Sequence, residues 1–230
     1  MRFLCLHGSG TSDEIFEIQS GGLRQQLEEN GHDFIFMNGR LEAKPEPGIT
    51  IYGFCPTMIH HPNAPLELEG ICDGPFYNHF PRDVAPSENL AKAFEHTLNF
   101  MQREGPFDAV MGFSQGGSLA ASMIIDHAKT HDKPLFKLAV FICSAIPFER
   151  TGTHPILPTD DGYPIIIPTA NIVGNQDYVY PQSMHVYGLC DPSKSAFYDH
   201  GSKHGIPFDQ KNTTAMTEVV EKTIERALRG

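Results

Sequence analysis

Short apolar runs alternate with amphipathic stretches along most of the chain. The runs, each bounded by turn-forming residues, are typical of buried β-strands. They occupy residues 3–6, 34–37, 108–113, 138–143, 165–173 (interrupted by Pro168) and 195–198. Helical spacing occurs at residues 18–29, in a segment that starts after Ser87, in a small-residue segment from Gly117, and at 214–228. Strands that alternate with helices predict a mostly parallel sheet with helices on both faces.

One segment, residues 40–86, has no sustained period. Prolines, glycines, aromatic residues and histidines are mixed there. So long an irregular stretch in a compact domain is usually functional, and we expect a cap-like insertion over a pocket. No repeat or linker divides the sequence, and residues 1–230 fit a single α/β domain.

Charge and composition exclude several function classes. The chain has 17 basic and 28 acidic residues, a formal net charge of −11, and no block rich in lysine or arginine. We therefore expect neither nucleic acid nor an acidic membrane surface as a partner. No apolar run approaches the ~18 residues of a membrane span, and the first run is too short for a secretory signal. Five scattered cysteines suit reduced thiols, which makes a cytoplasmic protein the expectation.

We expect neither a cofactor nor a metal ion. The sequence contains no Rossmann or Walker fingerprint. His127 and His131 are four residues apart on a predicted helix, but no third ligand accompanies them. His60, His61 and His79 lie in the irregular segment, where they could contact a ligand or simply pack.

The most informative motif is the Gly-Phe-Ser-Gln-Gly stretch at residues 112–116, which joins an apolar run to the small-residue helix. A strand, a sharp turn and a helix are the setting of a nucleophile elbow, which lifts a serine hydroxyl clear of the sheet. Glycines flank the serine because side chains there would collide with the neighbouring strand or helix. The motif predicts Ser114 as a nucleophile, and the alternative is a serine that only caps the helix.

A serine nucleophile needs a histidine base and a carboxylate that orients it. Such partners come directly after strands, because in a parallel sheet all strand C-termini face one crevice. Asp177 meets this condition at the end of the Gly-Asn-Gln-Asp stretch that follows an apolar run. Asp160, Asp161 and Asp191 precede strands, which places them at the wrong end of the sheet.

Two histidines follow the last predicted strand. His200 lies nearer to the strand end, and His204 lies between glycine-containing turns. Gly201 and Gly205 give the loop the freedom to turn inward, which favours His204 as the base. Either histidine could instead be packed without a chemical role.

An oxyanion hole requires two backbone N–H groups aimed at the developing negative charge. The residue after the nucleophile, Gln115, is one candidate. Ser9, in the glycine-rich stretch His-Gly-Ser-Gly after the first strand, is the other. The alternative for that stretch is an ordinary glycine-rich turn.

Together these motifs resemble a known family, the FSH-type "family of serine hydrolases". The resemblance rests on Leu-Cys-Leu-His-Gly-x-Gly at 4–10, Gly-Phe-Ser-Gln-Gly-Gly at 112–117, Gly-x-x-Asp at 174–177 and His-x-x-Pro at 204–207. It extends from residue 3 to about residue 225 and implies an α/β-hydrolase fold. It also implies Ser114 as nucleophile, His204 as base and Asp177 as orienter. The chain departs from the family at Lys203, where a glycine often precedes the catalytic histidine.

The family includes esterases and thioesterases that accompany polyketide synthases. The resemblance therefore implies hydrolysis of a small acyl ester or thioester, with an acyl carrier domain of a synthase as a possible partner. Residues 40–86 should form much of the acyl pocket. Its walls would include Phe54, Phe76, Tyr77 and Phe80. The alternatives are an acyltransferase with the same triad and a non-catalytic binding module on a hydrolase fold.

Overall fold

Strands and helices follow one another through residues 1–45, 50–51, 66–67, 74–82, 84–159 and 162–229, the part of the chain that the computed structural model describes. In chain order the elements are β1 (Arg2–Leu6), α1 (Asp13–Gln19), α2 (Gly21–Glu29), β2 (Asp33–Met37), β3 (Leu41–Ala43), β4 (Thr50–Ile51), β5 (Leu66–Glu67), β6 (Phe76–Asn78), α3 (Glu88–Glu104), β7 (Ala109–Phe113), α4 (Gln115–Ala128), β8 (Leu138–Ile142), β9 (Thr169–Val173), α5 (Tyr180–Gly188), β10 (Ser195–Asp199) and α6 (Gln210–Arg229).

A six-stranded sheet lies at the centre, in the order β10-β9-β8-β7-β1-β2. All neighbouring strands in it pair in parallel, which confirms the predicted architecture. The strand that precedes Ser114, β7, lies between β1 and β8. The loops that follow β1, β7, β8, β9 and β10 therefore leave the same edge of the sheet, where ligands bind in open α/β folds.

Helices cover both faces of this sheet. Alternate residues of each inner strand belong to two separate clusters of buried apolar side chains. One cluster includes Leu4 and Val110 with residues of α3, α4 and α5. The other includes Phe3 and Met111 with residues of α1, α2 and α6. This alternation is what the pleat of a strand buried on both faces requires.

Some boundaries differ from those predicted. The first predicted helix, residues 18–29, is two helices that meet at Ser20, whose hydroxyl donates to the Phe16 carbonyl. The predicted strand at 165–173 begins only at Thr169, since Pro168 precedes it and Ile165 forms an isolated bridge. Helix α5 was not predicted, because it buries few residues and has little apolar periodicity.

The segment predicted to be an irregular insertion contains short antiparallel pairs. β3 pairs with β6, and β4 pairs with β5. β6 also contacts the loop after β1: the Tyr77 N–H donates to the Thr11 carbonyl (2.7 Å), and the Gly10 N–H donates to the Tyr77 carbonyl (3.0 Å). The insertion is thereby attached to the edge of the sheet where the functional loops meet.

Two buried histidines connect this insertion to β1. The rings of His7 and His79 lie 4.5 Å apart, and His79 Nε2 donates to the His7 carbonyl (3.0 Å). His7 Nε2 accepts from the Gly39 N–H (2.8 Å), so its Nδ1 carries the proton and donates to the Gly8 carbonyl (2.6 Å). Burial lowers the pKa of His7 to about 4 and the pKa of His79 well below its ordinary value.

We expect stability to fall in mild acid because of these histidines. The unfolded chain takes up a proton at His7 near the ordinary pKa of ~6.5, but the folded chain does so only at about 4. The free energy of unfolding should therefore fall by about 3 kcal/mol through His7 as pH drops through this window. Urea unfolding at several pH values measures it. His7→Gln should flatten this pH dependence, whereas the exposed control His154→Gln should not. An unchanged slope in His7→Gln would contradict the prediction.

Candidate active site

Ser114 lies in the sharp turn between β7 and α4. Its backbone has φ 52° and ψ −113°, and residues with a side chain rarely adopt such a positive φ. Three backbone hydrogen bonds hold it there. The Ser114 N–H donates to the Ile142 carbonyl, and the Ser114 carbonyl accepts from the N–H groups of Ser118 and Ala145, all within 3.1 Å. The turn thus has the geometry expected of a nucleophile elbow.

The glycine after the nucleophile is required by close packing. A Cβ on Gly116 would collide with the backbone carbonyls of Leu6 and His7 in the neighbouring strand and loop. The first turn of α4 therefore lies directly against the end of β1. This contact brings the serine turn and the loop after β1 together.

Three predicted residues form one chain of hydrogen bonds. His204 Nε2 lies 3.0 Å from Ser114 Oγ, and His204 Nδ1 lies 2.7 Å from Asp177 Oδ2. The other carboxylate oxygen of Asp177 accepts from the Val179 N–H at 2.8 Å. The Asp177 side chain is 0% exposed and that of His204 15% exposed. This arrangement lets the imidazole take a proton from Ser114 while the carboxylate holds its ring.

The loops that present Asp177 and His204 are bonded to each other. The Gln176 N–H donates to the Ser202 carbonyl (3.2 Å), and its side-chain amide donates to the Gly201 carbonyl (2.7 Å). A Cβ on Gly174 would collide with Ser202 and with the ring of His200, so this position requires glycine. These contacts hold the two loops against each other and so support the separation of acid and base.

His200, the alternative base, is not part of the hydrogen-bonded series that joins Ser114, His204 and Asp177. Its Nδ1 accepts from the Ser202 N–H (3.2 Å), so its proton is on Nε2, which faces Cys143 Sγ at 3.5 Å. Burial lowers the pKa of His200 and raises that of the Cys143 thiol well above its ordinary value. Cys143 follows β8 with φ 44° and lies within 4.8 Å of Asp177 and His204. No sequence motif indicated this contact.

The two oxyanion candidates both border the pocket that contains Ser114. Gln115 is the first residue of α4, so its N–H has no acceptor within the helix. Ser9 lies in the loop after β1, where Asn78 accepts from the Ser9 hydroxyl (2.8 Å) and from the Gly10 N–H (2.7 Å). A Cβ on the preceding Gly8 would lie 3.5 Å from Cβ of Ser114, so this loop closely approaches the serine.

The side chain of Gln115 has a second function that the sequence did not indicate. Its Oε1 accepts from the His79 N–H (2.8 Å), and its Nε2 donates to the Phe80 carbonyl (2.9 Å). These bonds attach the end of the insertion to the start of α4. They position Phe80 beside the serine.

A pocket of about 460 Å³ opens at Ser114. Its apolar lining residues come from four loops and the end of β7 and comprise Phe80, Pro81, Val84, Ala85, Phe113, Ala145, Ile146, Phe148, Val179, Ile206 and Phe208. Of the four predicted wall residues, Phe80 lines this pocket. Phe76 and Tyr77 lie in β6 and do not line it, and Phe54 is outside the described residues. Tyr178, which the sequence did not single out, borders the pocket with its ring 4.9 Å from that of His204.

Of the alternative acids, Asp191 lies away from this pocket. Asp191 precedes β10 and accepts from Ser193, at the edge of the sheet opposite to Ser114. Asp160, Asp161, His60 and His61 are outside the described residues.

The rings of His127, in α4, and His131, in the segment after α4, stack on each other with centroids 3.9 Å apart. Among the described residues, the cluster of three potential metal ligands is Cys143 with Asp177 and His204. Two of these three side chains belong to the hydrogen-bonded chain described above. Within the same residues, no helix is long and apolar enough to cross a membrane.

A protein family and several known proteins match most of this sequence. The model of the family "Serine hydrolase (FSH1)" matches residues 1–216. Esterase FPY3 of Fusarium mangiferae is 33% identical over 240 residues, covering 100% of both chains. Hydrolase phiM of Talaromyces stipitatus is 31% identical over 227 residues, covering 92% of this chain and 82% of the relative.

Solved structures are similar in fold. A carboxylesterase from Mesorhizobium loti has a TM-score of 0.57 at 16% identity and covers 96% of this chain and 88% of its own. Mouse alpha/beta hydrolase domain-containing protein 10 has a TM-score of 0.58 at 12% identity, covering 98% and 90%. These neighbours confirm the α/β-hydrolase fold, and the family match covers nearly all of the sequence. The chain therefore belongs to the FSH1 family of serine hydrolases.

Proposed function

We propose that the protein hydrolyses a carboxylic ester or thioester through an acyl-enzyme on Ser114, with His204 as general base and acid and Asp177 as its orienter. The continuous hydrogen-bonded chain from Ser114 Oγ to the buried Asp177 carboxylate is the observation that carries this proposal. Membership of a serine hydrolase family supports it independently.

In the first half-reaction, Ser114 Oγ attacks the carbonyl carbon while its proton moves to His204 Nε2. The carbonyl oxygen becomes an oxyanion, to which the N–H groups of Gln115 and Ser9 donate. The bond to the leaving alcohol or thiol then breaks, and that group takes the proton from His204. Asp177 stabilises the intervening imidazolium through Nδ1.

In the second half-reaction, water replaces the leaving group. His204 Nε2 accepts a proton from the water, whose oxygen attacks the acyl carbon. When the bond to Ser114 Oγ breaks, the serine regains its proton from His204 and the carboxylic acid leaves. Buried Asp177 keeps the same imidazole orientation in both halves, so one histidine serves as base and as acid.

The pocket supports an acyl group with an apolar portion as the substrate. Its lining is largely apolar, and its volume of about 460 Å³ suits a medium-sized acyl group. The relatives include Esterase FPY3 and Esterase FUS5 of Gibberella fujikuroi. Together with the family resemblance to polyketide-pathway thioesterases, these features support an acyl group that a biosynthetic enzyme delivers, either as a free ester or on a carrier domain.

Ser114→Ala should abolish turnover without loss of the fold. The substitution removes the attacking oxygen, and Cβ keeps its place in the turn. We expect kcat to fall on the order of 10⁵-fold or more on p-nitrophenyl esters, with the melting temperature within a few degrees of wild type. Turnover in the variant at the wild-type rate would rule out Ser114 as nucleophile.

His204→Gln and His200→Gln form a matched pair that separates the base from its neighbour. Only His204 contacts Ser114, so we expect its loss to lower kcat about 10⁴-fold. His200→Gln should retain kcat within about tenfold, because its imidazole faces Cys143 instead. Equal losses in the two variants, at equal melting temperatures, would contradict this assignment.

Matched oxygen esters and thioesters of one acyl group test the leaving-group preference. A pathway thioesterase should have a higher kcat/KM for the N-acetylcysteamine thioester than for the ethyl ester, beyond their difference in uncatalysed hydrolysis. A preference for the oxygen ester would favour a simple esterase. Including an alcohol acceptor and analysing products by mass spectrometry detects acyl transfer, which would contradict the hydrolase assignment if it exceeded release of the acid.

A further inference from the structure

The side-chain amide of Gln19 contains a polar atom, Oε1, that is buried and unsatisfied among the described residues. Gln19 is the last residue of α1 and is 8% exposed. Its Oε1 is buried and accepts no hydrogen bond within the described part of the chain. Buried polar side-chain atoms in folded proteins nearly always have a hydrogen-bond partner. The described residues therefore give this oxygen no hydrogen-bonding role in the fold.

Gln19 borders the same pocket as the nucleophile. One helical turn before it, Phe16 packs on Phe113, the residue that precedes Ser114, with ring centroids 6.2 Å apart. Residues three apart share one face of a helix, so α1 presents Phe16 and Gln19 towards the same side. The contact between Phe16 and Phe113 thus fixes the amide relative to the serine turn.

Other polar side chains of the pocket differ from Gln19 in this respect. The hydroxyls of Ser9, Thr11 and Ser118 each donate to an acceptor of the protein. Their polarity is satisfied internally, and a ligand gains little from them. The Gln19 amide carries a donor and an acceptor, and its oxygen accepts no hydrogen bond among the described residues, so this side chain can pair with a molecule that enters the pocket.

We propose that Gln19 determines substrate specificity by hydrogen-bonding an oxygen function of the substrate, a hydroxyl or a ketone, that is separated from the scissile carbonyl by an apolar portion. This inference rests on the proposed ester or thioester hydrolysis at Ser114. The apolar walls bind the carbon chain, and the amide selects chains that are oxygenated at the matching distance. A site that hydrogen-bonds a substrate group discriminates strongly against the analogue that lacks it.

Two series of p-nitrophenyl esters, from butanoyl to decanoyl, test the proposal. One series ends in a methyl group and the other in a hydroxyl group. For wild type, we expect the ratio of kcat/KM, hydroxylated over plain ester, to peak at one chain length. Gln19→Met keeps the length of the side chain but removes the amide, and it should lower that peak ratio about tenfold. Gln25→Met makes the same exchange at an exposed position of α2 and should leave the ratio unchanged.

Thermal unfolding of Gln19→Met separates a ligand-binding role from a structural one. Because the amide oxygen accepts no hydrogen bond among the described residues, replacement of the amide should leave the melting temperature unchanged or raise it. A lower melting temperature would assign the amide to the fold and overturn the proposal. A flat ratio across the wild-type series would overturn it as well, whether or not the variant folds.

Failure of the inference can be distinguished from failure of the proposed function. If wild type hydrolyses both series and Gln19→Met changes them equally, only the role of Gln19 is wrong. If wild type hydrolyses neither series nor the corresponding thioesters, the proposed function fails, and the specificity role fails with it.

Discussion

The left-handed backbone of Ser114 is the constraint on which the site depends. Such a conformation costs on the order of 1–3 kcal/mol for a residue with a side chain and persists only where surrounding structure imposes it. Here the strain is offset by backbone hydrogen bonds to β8 and the loop after it, and by the approach of Gly116 to the end of β1. The same contacts that hold the turn bring the loops after β1 and β8 to the serine.

The supporting shell of the site consists of neutral, hydrogen-bonded groups. His7 and His79 connect β1 to the insertion, and the Gln115 amide connects that insertion to α4. On the opposite side, Gln176 connects the acid loop to the base loop. Each connection joins segments that are distant in sequence, so the pocket keeps its shape only while the whole sheet edge is intact. Gln19 stands apart from this shell, because its amide makes no such connection.

Much of this arrangement could be predicted from sequence, and the reasons are specific. The apolar runs revealed the six parallel strands because strands buried on both faces carry a strong, local signal. The Gly-x-Ser-x-Gly stretch indicated Ser114 because the elbow constrains adjacent residues. Choosing His204 over His200 required loop geometry, since both follow β10 by a few residues, and the family resemblance supported the choice.

What escaped prediction depends on contacts between distant residues. Helix α5 has little periodicity of its own and is defined by packing on the sheet. Nothing local distinguishes Gln19 from any helical glutamine, or Gln115 from a residue that offers only its backbone. The proximity of Cys143 to Asp177 likewise follows from the order of β8 and β9 in the sheet. Phe76 and Tyr77 were predicted as pocket walls from their aromatic character. The sequence of this segment does not specify how its strands pair, and hence which side chains face the pocket.

The proposed function requires Ser114 to be an activated nucleophile. The most direct measurement is labelling of the wild-type protein with a fluorophosphonate, followed by intact mass determination and peptide mapping. We predict a single adduct, located on Ser114 and absent after heat unfolding. No adduct on the folded protein, or an adduct on another residue, would contradict it.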